Sequence, residues 1–148
     1  MVVALPYGSY DEVLSPYPAA LKGKIVVDPS NPIDFNTGDS VITPAGSSAA
    51  ARLADKYAGT RVVKAFNTNF AGTLASGTVG DAATTVLVAG DDADAKDARA
   101  RSGNRRGLRV ADTGGLKRAH ELESLGAVQI GLAASSQVQW SNGFAVVA

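Results

Sequence analysis

Arg61-Val62-Val63-Lys64-Ala65-Phe66-Asn67-Thr68 opens as a β-branched run of the kind that fills a buried strand and closes in two polar side chains. Open α/β sheets build their sites in this way, just beyond the carboxyl ends of strands. The same order recurs twice upstream. Val2 to Leu5 runs into Pro6-Tyr7, and Ile25-Val26-Val27 runs into Asp28-Pro29-Ser30-Asn31-Pro32. Three such endings predict one shared crevice.

Working outward, Val2 to Leu5 reads as a strand ended by proline, followed by a helix capped at Ser9 or Asp11 and broken by Pro16 and Pro18 before Leu21. Ile25 to Asp28 is a second strand, and Asn31 to Ser40, rich in Asn, Asp, Gly and Pro, is a loop. Ser47 or Ser48 caps an alanine-rich helix to about Tyr57, stopped by Gly59. Beyond the central stretch, Asn69 to Ser76 is a short helix, Gly77 to Asp81 a turn and Thr84 to Gly90 a further strand. Asp91 and Asp92 suit a helix N-terminus better than a metal pair. The helix they introduce, predicted to about Arg101, has alanine as its only apolar residue, so little drives it onto a sheet. Ser102 to Gly107 is the expected point of disorder. Leu108 to Ala111 is a brief last strand and Asp112 to Gly115 a turn. Leu116 to Leu125 is a helix, with a helical continuation from Ala127 to Gln139.

Strands alternating with helices predict an α/β fold with a mostly parallel sheet. The 148 residues match one domain, with strand and helix alternation over 1–111 and a mainly helical part over 112–148. Fourteen basic residues balance fourteen acidic ones, which gives no reason to expect nucleic acid or a membrane surface as partner. The chain has no cysteine and one histidine, so neither a thiolate metal site nor a nucleophile, base and orienter set can be assembled. A cytoplasmic protein is expected.

VVALPYGSYDEVL, GKIVVDPSNPIDF, RVVKAFNTNFAGTL, TTVLVAGDDADAK and LRVADTGGLKRAHELESL, in this order, resemble the NADPH-dependent reductases of the deazaflavin coenzyme factor 420. Ferric-reductase relatives share that fold. The resemblance covers Val2 to Val147 and implies a Rossmann-type sheet, truncated at the N-terminus, with a small helical C-terminal part. It implies direct hydride transfer between NADPH and the deazaflavin at the strand ends. For that chemistry a protein need only hold two carbons at about 3 to 3.5 Å in a dry crevice, so no catalytic acid or base is named.

The resemblance implies NADP contacts at Pro6, Tyr7, Asn31, Pro32, Ala65, Phe66, Asn67 and Thr68, with Gly114, Gly115 and Leu116 bordering the deazaflavin. From the residues alone, Pro6 also reads as a plain strand terminator, Asn31-Pro32 as a turn starter and Gly114-Gly115 as a β-to-α turn. His120 reads as a surface or satisfied histidine, Arg105 and Arg106 as a solvated loop, and Trp140 as a core or subunit contact.

Two departures stand out. The helix from Asp92 lacks the family's apolar face, and no GxGxxG turn occurs in the sequence. Losing two or three charge-assisted bonds to a pyrophosphate costs roughly 4 to 8 kcal/mol, a thousandfold or more in affinity. The strand at Val2 to Leu5 would then keep an open apolar edge, which predicts a homo-oligomer through that edge. Two readings therefore accompany the reductase: a non-catalytic assembly module without cofactor, and a ferric or flavin reductase relative.

Overall fold

The computed structural model describes residues 1–38, 40–104 and 107–147. Its four-stranded sheet has the order β1-β2-β5-β6, where β1 is Ile25–Asp28, β2 Arg61–Ala65, β5 Thr85–Ala89 and β6 Arg109–Gly114. β1 and β2 are parallel, with Val26 opposite Val62 and Asp28 opposite Lys64. β5 and β6 are parallel as well, but β5 runs antiparallel to β2, with Lys64 opposite Ala89 and Ala65 opposite Val88. The expected α/β, mostly parallel sheet thus contains one reversed step. Its cause lies between β2 and β5. The short α4 (Ala71–Ser76) and a hairpin of β3 (Thr78–Val79) and β4 (Ala82–Ala83) stand where a longer crossover helix would return the chain for parallel pairing.

Val2 to Leu5 forms less strand than its sequence predicts. Val2 makes a single parallel bridge to Val27, tied by Val3 N to Val27 O and Val27 N to Met1 O, both 2.9 Å. Pro6 then leads into a 3-10 turn, Tyr7–Ser9, and the chain leaves the sheet edge. The broken helix is present as α1 (Tyr10–Leu14) and α2 (Pro18–Leu21), with Pro18 in the first turn of the second, where a missing N–H costs nothing.

Alternation along β1 and β2 divides the core. Val26 and Val62 face Tyr10, Leu14, Leu21, Leu53 and Leu116, beneath α1, α2 and α3 (Ala49–Lys56). Val27, Val63 and Ala65 face the opposite way, toward Val86, Val88, Ala95 and Leu108. By the same period Asp28 and Lys64 point to the α3 side, and both are wholly buried.

α5 (Ala93–Asn104) extends three residues past the predicted end at Arg101, so Ser102 to Asn104, expected as disordered, are helical; Arg105 and Arg106 lie outside the described residues. It lies against the sheet through small residues: Ala95 is fully buried, and a Cβ on Gly103 would fall 2.7 Å from Val110 Cγ2. The last helices form a 3-10 turn, Leu116–Arg118, continuous with one helix, α6 (Ala119–Ala134), which ends before the predicted Gln139. Among the described residues no helix is long and apolar enough to cross a membrane.

Candidate functional site

Because β1 and β2 run side by side in the same direction, their carboxyl ends deliver Ser30-Asn31 and Phe66-Asn67-Thr68 to one place. Phe66 has a left-handed backbone, φ +71°, a conformation that costs a non-glycine residue of order 1–3 kcal/mol. That kink brings Asn67 against Asn31. Asn31 Nδ2 donates to Asn67 O at 2.8 Å, and Asn67 Nδ2 donates to Asn31 Oδ1 at 2.9 Å and to Leu122 O of α6 at 2.8 Å. α6 comes this close only because residue 126 is glycine: a Cβ there would stand 2.8 Å from Asn31 Cγ. Three polar atoms are left over. Ser30 Oγ, Asn67 Oδ1 and Thr68 Oγ1 are buried without a hydrogen-bond partner, on residues only 6–8% exposed.

Behind the amide pair lies a charged cluster that the sequence did not announce. The Lys64 ammonium is 3.1 Å from Asp28 Oδ2, 2.7 Å from Glu123 Oε1 and 2.5 Å from the Ser30 carbonyl oxygen. Asp28 Oδ1 also accepts from Tyr10 OH at 2.5 Å and from Ser30 N at 2.8 Å. Glu123 accepts from Ala49 N at 3.0 Å and Ala50 N at 3.5 Å, the first amides of α3, while Ser48 Oγ caps Ala51 N. Burial pushes the Tyr10 phenol up, so it stays protonated and donates. Burial also raises the Glu123 carboxyl, against the opposing pull of Lys64. A lysine within a β-branched run, one strand from Asp28, was the available signal; Glu123, 59 residues on, carried none.

Pro6, Tyr7, Asn31 and Pro32 border a recess of about 290 Å³, whose far wall includes Phe35 and Ile42. Ala65 is buried with the Val63 side of the core, and Phe66 packs against that cluster. Gly114, Gly115 and Leu116 are elsewhere. The reversed β5 brings Asp92 back to Arg61, which it binds through two nitrogens at 2.5 and 2.7 Å, and Asp91 Oδ1 accepts from Leu116 N at 2.8 Å. These three residues therefore lie nearer the starting end of β2, and Leu116 leads into the helix whose Leu122 carbonyl bonds Asn67. Of the residues named for NADP, Pro6, Tyr7, Asn31 and Pro32 share the recess and Asn67 bonds Asn31, whereas Ala65 and Phe66 belong to the core on the other side of the sheet.

The other candidates have structural partners. Asp92 Oδ1 accepts from Ala95 N at 2.9 Å in the first turn of α5, and His120 Nδ1 lies 3.1 Å from Ser47 O. Trp140 packs on Phe70, with ring centroids 4.9 Å apart. Among the described residues no cluster of three His, Asp or Glu could hold a metal ion.

A dinucleotide requires polar contacts for its ring and ribose and an anion cradle for its phosphates. The strand ends offer the first in part: Asn31 borders the apolar recess, and Asn67, bonded to it, has a buried unpartnered oxygen. The N-terminus of α3 does not supply the second, because Glu123 already accepts from its first amides.

No protein-family model matches the chain. An F420-dependent NADP reductase of Methanothermobacter marburgensis is 30% identical over 146 residues, 93% of this chain and 64% of that protein. The chain therefore spans just under two-thirds of that relative's length. A solved structure from Arthrobacter sp. FB24, provisionally assigned as an F420-dependent NADP reductase, superposes with a TM-score of 0.85 at 28% identity, covering 99% of this chain and 68% of that one. A hypothetical protein of Sinorhizobium meliloti gives a TM-score of 0.69 at 30% identity over 78% of this chain and 56% of its own. In sequence and in fold alike, this α/β chain has the family likeness of the F420-dependent NADP reductases over roughly two-thirds of their length.

Proposed function

We propose that this chain carries the nicotinamide-facing part of an NADP(H)-linked oxidoreductase. The observation that carries this reading is the Asn31–Asn67 pair: two amides locked together at adjacent strand ends, Asn31 on the border of an apolar recess and Asn67 with an unpartnered oxygen. Bound there, NADPH would supply a hydride and a deazaflavin would accept it. The chain's own residues hold and exclude. Asn67 Oδ1 and Thr68 Oγ1 accept from the carboxamide or ribose, and Pro6, Tyr7 and Pro32 keep water from the reacting face. No side chain moves a proton in this scheme. A cytoplasmic setting belongs to the same proposal.

The test is a titration of the chain with NADPH, followed by cofactor fluorescence, with sedimentation on the same sample. Micromolar saturation that Asn67→Ala weakens about tenfold or more supports the reading, since one hydrogen bond to a buried group is worth about that much. No binding up to millimolar NADPH overturns it. A second reading, an assembly module without cofactor, is favoured by one observation: the 1–3 stretch pairs with β1 on one side, and among the described residues no strand pairs its other side.

A further inference from the structure

We propose that the buried Lys64 ammonium is the positioning residue of the strand-end site, fixing the chain segments on which the Asn31–Asn67 pair depends. Its protons meet acceptors from three places: Asp28 Oδ2 on β1 at 3.1 Å, the Ser30 carbonyl in the loop after β1 at 2.5 Å, and Glu123 Oε1 on α6 at 2.7 Å. An ammonium has three donors, so none is left over. Each contact falls beside a member of the amide pair. Ser30 precedes Asn31, and Glu123 follows Leu122, whose carbonyl accepts from Asn67 Nδ2. Lys64 itself stands in β2, the strand that delivers Asn67.

The loop needs such a hold. It reads Pro29-Ser30-Asn31-Pro32, and its two prolines have no N–H to give. Side chains hold Ser30 at both ends: its N–H donates to Asp28 Oδ1 at 2.8 Å and its carbonyl accepts from Lys64. Asp28 is kept in turn by Tyr10 OH at 2.5 Å, and Glu123 by the Ala49 N–H at 3.0 Å. The left-handed turn at Phe66 adds to the demand, because strained backbone persists only where its surroundings over-determine it. Asn67 Nδ2 donates to Asn31 Oδ1 and to Leu122 O, and both acceptors belong to neighbours in sequence of the residues that Lys64 holds. A buried ion pair contributes little to stability beyond what packed apolar side chains of the same size give. What the ammonium adds is direction.

What the pair binds follows the proposed NADP(H) reading, on which this inference rests; that Lys64 positions the pair is readable without a ligand. Removing the cation alone strands two buried carboxylates, so the comparison variant neutralises the cluster with Asp28→Asn, Lys64→Met and Glu123→Gln together. Asn and Gln keep a carbonyl oxygen for Tyr10 OH, Ser30 N–H and Ala49 N–H, and Met is unbranched like Lys, so the bonds lost are those of the ammonium.

Nuclear magnetic resonance reads how fast the Asn67 Nδ2 protons exchange with solvent, against those of exposed Asn36 and against the backbone amides of Val27 and Val63 in the paired strands. Calorimetry measures nicotinamide mononucleotide binding to wild type and variant. Expected is a variant whose Val27 and Val63 amides exchange as in wild type, while its Asn67 protons exchange about tenfold faster or more and the mononucleotide binds about tenfold more weakly or worse. Asn67 protons as slow as in wild type overturn the positioning role. So does a parallel loss of protection at Val27 and Val63, which would make Lys64 a residue of general stability. If wild type binds no mononucleotide at about 5 mM and the Asn67 protons still respond, Lys64 keeps its role in placing the pair and the NADP(H) reading falls. If both chains bind the mononucleotide equally well, that reading stands and the positioning role falls.

Discussion

Lys64 has no exposed surface and faces two carboxylates, so its removal leaves Asp28 and Glu123 buried without their cation. Stranding a buried charge in this way costs about 3–5 kcal/mol, and Lys64→Met should lower the urea stability by that amount. A loss below 1 kcal/mol would mean that water or a shared proton already neutralises the pair. The sign of the pH response follows from Glu123. Burial raises its folded pKa above the ordinary 4.5, so the folded state holds this proton more tightly than the unfolded chain. Its contribution is fully present below 4.5 and is lost as pH rises through the folded value. Acidifying from pH 7 toward about 5 should therefore stabilise wild type relative to Glu123→Gln, read as the difference between their urea midpoints; parallel curves would refute the shift. The sequence made Asn67 and Thr68 legible because packing gives a buried strand no reason to end in two polar residues. It hid Lys64, since a lysine in a strand more often reaches for solvent, and its partner Glu123 comes from a helix far along the chain.

At the scale of elements, α5 shows what local patterning cannot express. Its sequence has scarcely an apolar face, yet it packs, because Ala95 and Gly103 permit close approach to β6 and polar ties fix its start. Arg61 holds the Asp92 carboxyl down to about 2, helped by the Ala95 amide. This depressed group contributes stability above its ordinary 3.8 and loses it as pH falls through about 2. Far-ultraviolet circular dichroism between pH 5 and 2 should show α5 loosening in wild type and a flatter response in Asp92→Asn. α6 supplies a sharper test of the site. Gly126→Ala gains about 1 kcal/mol of helix propensity but drives a methyl into the Asn31 amide. Stability should change little while the Asn31–Asn67 pair is displaced, so the variant should keep its melting temperature and lose most NADPH affinity. Unchanged affinity would remove the amide pair from the binding site. The reversed β5 was illegible for a related reason: periodicity marks a buried strand, but strand direction depends on whether the connection is long enough to cross over, and Asn69 to Ala83 reads as helix and turn either way.

For the whole molecule, direction decides where ligands can gather. The 1–3 stretch, β1 and β2 share one polarity, so their carboxyl ends crowd together; β5 and β6 send theirs to the other end of the sheet. A single crevice therefore serves the first three endings only, while Gly114 to Leu116 lie beside Gly90 and Asp91. Among the described residues no strand pairs the outer side of residues 1–3, where Val2 is half exposed at 52%. An edge of this kind pairs with another strand when one is offered, and a second copy of the chain offers an identical one. A homo-oligomer through this edge would pair two such edges antiparallel about a two-fold axis. Sedimentation should show dimers of the wild-type chain and monomers of Val2→Lys, whose charges would face each other across the axis, with the same melting transition at low concentration. Monomeric wild type at tens of micromolar would rule out this association.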